Sequence, residues 1–381
     1  MTSSTANESA DQLVGATPKV LIIHDFAETF GGAERIAGEI ANAFPGSELI
    51  AIAGRDEVAK RMGMEGRFST LLPRSEWLLR HYRKLAPGYP LLAAARSLPE
   101  ADLLISSSYA FAHGFQTVNG APHLSYCCSP LRFAWTMADD YGDRLVGPRL
   151  GSSLGKLSAP FRVLDRRASK RVDRYLAESG YVADQIQRFF NRDATVLHPP
   201  VDCERFSPGT EDVEDYVLLC GRLIEPYKRP NLVVEAFRAF PERRLVVAGD
   251  GPELPRLREI APSNVEFVGQ LEDEALIAKM RRCSFAIFPS RDDFGLVPVE
   301  VMACGRPVLA SAEGGALETV RPGVTGELFS EPTVEGVVEA IRQFDPSGYD
   351  TDAIREHALG WDVRDWRRDL RNAAADLLQA V

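Results

Sequence analysis

Long apolar runs are missing from this chain. In 381 residues no stretch of about 18 consecutive apolar side chains occurs, so no membrane-spanning helix is expected. Cysteine is sparse: six residues, at 127, 128, 203, 220, 283 and 304, with no C-x-x-C spacing. That speaks against a disulfide framework or zinc ribbon and fits reduced, mostly buried thiols in a cytosolic protein. The adjacent pair Cys127-Cys128 has no third or fourth ligand at a sensible spacing, so no metal site is expected. Positive charge is in deficit, with 44 Lys and Arg against 54 Asp and Glu and a net charge of −10. Composition therefore argues against a nucleic-acid binder. Histidine is scarce and scattered, and His24, His123 and His198 read as structural. No clean Gly-x-Gly-x-x-Gly follows the first apolar strand with an acid about 20 residues on, which removes the signature of a dinucleotide oxidoreductase.

What is present suffices for two domains. The chain is 45% hydrophobic, enough for two ordinary cores. Residues 1–17 are rich in Ser, Thr, Ala and acid without an apolar centre, and read as a disordered tail, not a signal peptide. Strands are expected at 20–23, 49–52, 103–106, 123–127, 174–177 and 195–197. After Pro199-Pro200-Val201-Asp202 the pattern restarts at 216–220, 244–248, 265–268, 285–288 and 308–310. Helical stretches alternate with these strands, for example at 231–240 and 274–282. Continuous apolar strands alternating with helices predict parallel sheets covered on both faces. The expected division is a Rossmann-like domain over 18–205 and a second over 206–360. A closing amphipathic helix over 361–381, with Trp366, Leu370, Ala373, Leu377 and Leu378 on its apolar face, is expected to pack back on the first domain.

The segment from Phe288 to Ala310 carries the most chemistry. A strand runs into a loop with Asp292, Gly295 turns the chain into a helix, and Glu300 follows eight residues after the first acid. The ligand end of such a βαβ unit is the loop after the strand, where amides at the helix start face an anion. Asp292 alone could be a helix-capping acid. Glu300 is too far into the helix for that, and its two oxygens suit a vicinal diol. At Gly221-Arg222 a strand end presents a cation, with Lys228 six residues on; two fixed cations can neutralise a diphosphate. Gly31-Gly32 opens a helix after the first strand, either as a close approach to an anion or as a plain tight turn. Cys128-Ser129-Pro130-Leu131-Arg132 follows another strand, as a second-substrate loop or as a packed aromatic turn. Arg74, Arg80, His81, Arg83 and Lys84 interleave with Trp77, Leu78, Leu79, Tyr82 and Leu91, and a second basic run covers Arg162 to Arg174. Such faces suit an anionic membrane surface or a phosphate-bearing acceptor, and a solvated helix face fits them equally well.

Taken together, Gly31-Gly32, Ser129-Pro130-Leu131-Arg132, Gly221-Arg222 with Lys228, Gly249-Asp250-Gly251-Pro252, Phe267-Val268-Gly269, Asp292 to Glu300, and Gly314-Gly315 with Glu318 make the chain resemble the retaining glycosyltransferases of family 4 over nearly its whole length. Within that family it is similar to mannosyltransferases of bacterial surface-polysaccharide assembly. The resemblance implies the GT-B fold: α/β, two Rossmann-like domains with parallel sheets facing a central cleft. It implies transfer of a hexose, mannose from GDP-mannose, to a lipid-linked or glycan hydroxyl, with no metal and no cofactor beyond the donor. The place of action would be the cytoplasm or the inner face of the cell membrane. By the same resemblance Arg222 and Lys228 would grip the diphosphate, and Asp292 would contact the donor sugar. Glu300 would hold the ribose, and Val268 would lie by the base. Gly295 and Leu296 would cradle phosphate and sugar, and Gly31 and Gly32 would close over the diphosphate. Cys128, Ser129 and Arg132 would contact sugar or acceptor. Two positions depart from the family pattern: Asp292 stands where Glu is usual, and Cys128 where His is common. A UDP-sugar glucosyl or N-acetylhexosaminyl transferase, and a nucleotide-sugar-binding protein with weak turnover, are the alternatives.

Overall fold

A computed structural model describes residues 18–138 and 158–380. The expected disordered tail lies outside them. The chain begins with β1 (Val20–Ala27), α1 (Gly32–Ala43), β2 (Glu48–Gly54), α2 (Asp56–Arg61), β3 (Phe68–Thr70), α3 (Glu76–His81), α4 (Tyr89–Ala95), β4 (Leu103–Ser108) and β5 (His123–Cys127). It continues through α5 (Ala159–Ser169), β6 (Arg174–Ala177), α6 (Gly180–Phe190) and β7 (Ala194–Val196). These strands form one seven-stranded sheet in the order β3-β2-β1-β4-β5-β6-β7. β1 pairs in parallel with β2 on one side and β4 on the other. All eight side chains of β1 are buried, as a central strand covered on both faces requires.

The second series is β8 (Tyr216–Cys220), α7 (Pro230–Ala236), β9 (Arg244–Ala248), α8 (Leu254–Ile260), β10 (Val265–Gly269), α9 (Asp273–Arg282), β11 (Phe285–Phe288), α10 (Leu296–Ala303), β12 (Val308–Ser311), α11 (Ala316–Thr319), β13 (Gly326–Phe329), α12 (Val334–Gln343) and α13 (Thr351–Ala358). Its six strands run parallel in the order β10-β9-β8-β11-β12-β13. Tyr216, Leu218 and Cys220 pack into one apolar layer and Val217 and Leu219 into the other, the two-residue alternation of a strand buried on both sides. Strand order reverses between β8 and β11, so the loops after these two strands flank the switch point, where open α/β sheets bind ligands.

The described residues group into two compact units, one of 18–126, 159–175 and 371–380, the other of 127–138, 158 and 176–370. The boundary expected near 205 falls inside the second. The last helix, α14 (Val363–Ala380), buries Trp366, Leu370, Ala374 and Leu377. Ala374 is buried on that face where Ala373 was expected, and Ala373 is half-buried beside it. Within the first unit Arg174 donates to the carbonyl of Ala373 at 3.2 Å.

Candidate functional site

The loops after β8 and β11 carry the candidate side chains. Gly221-Arg222 follows β8 directly, and Arg222 is exposed. Farther along that loop Lys228 is ion-paired to Asp292 of the loop after β11. The two loops are also joined through their backbones, Arg291 N–H donating to Tyr227 O at 2.8 Å. Gly295 caps α10 with φ +86°, the left-handed turn that swings the loop into the helix. Leu296 begins that helix and Glu300 lies in its second turn, buried. Glu300 and Lys228 both bear electrostatically on Cys220, the last residue of β8. Lys228 and Glu300 thus lie near the end of β8, which Arg222 follows in the chain. Val268 is half-buried near the end of the edge strand β10.

The loop after β12 braces this arrangement. A Cβ on Gly314 would lie 2.1 Å from the carbonyl oxygen of Asp292, and its φ is +60°, so only glycine fits. Gly315 N–H donates to the same carbonyl at 2.9 Å. Arg229 pairs with Glu313, whose carboxyl is held below its ordinary value chiefly by that hydrogen bond. Glu318 accepts the amides of Gly180 and Tyr181 at 2.9 and 3.1 Å and contacts His198 Nε2 at 3.0 Å. Burial works against its charge, but the His198 contact and these two amides outweigh it and keep its pKa low. His198 is accordingly a partner of Glu318.

Cys128, Ser129 and Arg132 belong to the same unit as these loops. Arg132 donates from Nε to Asp293 Oδ2 at 2.7 Å and to Ser129 Oγ at 3.3 Å, and it lies over the Tyr227 ring at 5.2 Å. Burial opposes the Arg132 cation, yet Asp293, Tyr227 and Asp292 raise its pKa above the ordinary value. Ser179, which caps α6, donates to the carbonyl of Asp293 at 2.6 Å. Trp135 stacks on Phe189 at 4.6 Å, which makes the end of this segment a packed aromatic turn. Sequence reasoning missed Asp293, Tyr227, Glu178 and Ser179. The only signal for Asp293 was its place beside Asp292, and nothing local marked the other three.

Gly31 and Gly32 lie in the first unit. Gly31 is the cap residue of α1 with extended backbone, its carbonyl accepting from Arg35 N at 3.0 Å. The buried polar groups of that unit are turned inward: Asp25 accepts the amides of Tyr109, Ala110, Phe111 and Ala112 at 2.7, 2.8, 2.5 and 2.8 Å. Trp77 is 63% exposed and Leu91 64%. Arg80 and Lys84 are exposed, Arg74 is paired to Asp56, and the side chain of Arg83 lies outside the described residues. Among the described residues no helix is long and apolar enough to cross a membrane, and no group of three or more His, Cys, Asp or Glu could hold a metal ion.

Residues 202–355 match the family described as glycosyl transferases group 1. The D-inositol 3-phosphate glycosyltransferase of Mycobacterium sp. (strain JLS) is 33% identical over 197 residues, 44% of each chain. The protein of that name from Kribbella flavida is 32% identical over 243 residues, 54% of this chain and 57% of its own. The chain thus spans about half the length of the curated relatives it matches. The Anabaena Alr3699/HepE protein, solved in complex with UDP, superposes with a TM-score of 0.70 at 17% identity, covering 94% of this chain and 100% of that one. Two parallel-sheet α/β domains of GT-B type are therefore the fold, and residues 202–355 form a glycosyl transferases group 1 domain.

Proposed function

We propose that this chain is a retaining glycosyltransferase that moves a hexose from a nucleoside-diphosphate donor to a hydroxyl acceptor. The observation that carries the reading is the convergence of Arg222, Lys228, Asp292 and Glu300 at the switch point of one sheet. Breaking a glycosidic bond to a diphosphate builds negative charge on the departing oxygen. Arg222, exposed at the end of β8, and Lys228 are the groups that stabilise it, together with the amides at the start of α10. A phosphate arriving beside Lys228 exchanges one anionic partner for another, which frees Asp292 for sugar hydroxyls. Glu300 takes the ribose diol, Val268 the base, and Gly295 and Leu296 the phosphate and sugar edge. The departing phosphate accepts the proton of the attacking hydroxyl, so no covalent nucleophile from the protein is needed.

The match of 202–355 and the glycosyltransferase names of the relatives support hexosyl transfer. A UDP-bound neighbour of the same fold makes a UDP-sugar the rival of the GDP-mannose expected from sequence. An acceptor at an anionic membrane surface is favoured by exposed Trp77 and Leu91 beside Arg80 and Lys84. The test is transfer from GDP-mannose and from UDP-glucose by wild type, Arg222→Ala and Lys228→Ala. Removal of either cation should lower kcat by about 10²–10³-fold, the magnitude of losing one preorganised charge-stabilising donor. Variants within a few-fold of wild type reject the reading. Binding of either donor without product favours a nucleotide-sugar-binding protein.

A further inference from the structure

Glu178 leaves the end of β6 as Cys128 leaves the end of the neighbouring β5, and Glu178 N–H donates to Cys127 O at 3.2 Å. Both side chains are buried, Glu178 at 7% and Cys128 at 6% exposure. The Cys128 thiol is hydrogen-bonded to the Glu178 carboxyl. One residue on, Ser179 is tied to the carbonyl of Asp293. Glu178 therefore stands behind both the Ser129–Arg132 turn and the loop that carries Asp292.

Lys228 pairs with Asp292, and Arg132 with Asp293. An ionised Glu178, for which no ion pair occurs among the described residues, would add a buried negative charge beside the place where a diphosphate is to bind. Burial, followed by the repulsion of Asp293 and Asp292, pushes the Glu178 carboxyl well above the ordinary range, against the pull of Arg132 and the Cys128 thiol. The adjoining start of α6 adds Tyr181, and Glu318, partnered by His198, faces the same turn through the Gly180 and Tyr181 amides.

Resting on the proposed glycosyl transfer, we propose that Glu178 is a positioning residue that acts as an uncharged acid, holding the Cys128–Arg132 turn against the Asp293 loop without adding a further negative charge. At high pH its ionisation would place that charge in the site and slow transfer.

The test uses the full-length protein, infrared spectroscopy of protonated carboxyl groups at neutral pH, and pH profiles of transfer from UDP-glucose and GDP-mannose. A protonated-carboxyl band should be present in wild type and missing from Glu178→Gln. Glu178→Gln, which stays neutral, should keep its rate within about threefold at neutral pH and lose the alkaline decline, whereas Glu178→Ala should be at least about tenfold slower throughout. If Glu178→Gln does not fold, the wild-type protein decides alone: its protonated-carboxyl band should disappear over the same pH range in which transfer declines. An infrared band unchanged by Glu178→Gln, an alkaline decline that persists in it, or a wild-type band that persists where transfer declines overturns the proposal. If wild type turns over neither donor, the glycosyl-transfer reading fails on its own, and the infrared comparison still decides the state of Glu178.

Discussion

Asp25 in the first unit and the Asp292–Asp293 pair in the second show two opposite ways of holding a buried acid. In the first, Asp25 is completely buried and its carboxylate is taken up by four amides of its own unit. In the second, Asp292, Asp293 and Glu313 are held by the side chains of Lys228, Arg132 and Arg229, while Arg222 stays exposed. Amides are fixed in place, so the first arrangement is scaffolding. Side-chain cations can change partner when an anion arrives, so the second can serve a ligand. A carboxylate at a strand end thus acquires its role from what satisfies it.

The comparison breaks most sharply at Asp25. Asp25→Ala strands four amide donors, and the loss should exceed about 3 kcal/mol, read as failure to fold or a collapsed denaturation midpoint. Lys228→Ala, which leaves Asp292 unpaired, should cost no more than about 2 kcal/mol in stability and remove catalysis by about 10²–10³-fold. Equal effects of the two substitutions on stability would erase the distinction. Arg132→Ala leaves the buried Asp293 carboxylate unpaired and should cost about 2 kcal/mol, a value discounted because the Arg132 side chain is 31% exposed.

Acid should sharpen the contrast from the other side. His123 is buried in the first unit, with Nδ1 against Arg171 O at 3.2 Å and Nε2 against Ser106 Oγ at 2.8 Å. The carbonyl can only accept, so Nδ1 carries the proton and Nε2 accepts from the serine. Burial first, and then His113, lowers its pKa from 6.5 to about 3. The unfolded chain therefore binds a proton that the folded chain refuses. Stability is intact above 6.5 and falls as pH drops toward 3, by at most about 1.4 kcal/mol per pH unit. His123→Gln should flatten that slope in acid melts. The smallest expected effect is that of Trp77→Ala, within about 0.5 kcal/mol on stability, with weakened binding to vesicles of anionic lipid.

Much of this was legible in the sequence because a strand buried on both faces is written as a continuous apolar run. Val-Leu-Ile-Ile at 20–23 and Tyr-Val-Leu-Leu-Cys at 216–220 name themselves, and both are central strands. The strands that escaped, Phe68–Thr70 and Gly326–Phe329, each form one edge of a sheet, are short and only partly buried, and lack a continuous apolar run. The cations and acids at 222, 228, 292 and 300 were visible because each lies just past an apolar run or a glycine turn. Glu178 and Asp293 were not, since their importance comes from residues more than 40 positions away: Cys128 for one, Arg132 for the other.

The six thiols bear on how motion in this protein can be followed. All are buried and no disulfide joins them. Burial lifts Cys203 to about 11 and Cys304 to about 12, and raises Cys220 and Cys283 as well. At neutral pH an alkylating reagent finds almost no thiolate to attack until the surrounding segment opens. The unmodified chain therefore carries built-in chemical clocks toward both ends of β8, Cys220 as its last residue and Cys283 next to Ser284, whose N–H donates to Tyr216 O at 2.9 Å. Mass-resolved labelling of Cys220 against Cys283, with and without a nucleotide, would time the breathing of each without a single engineered probe.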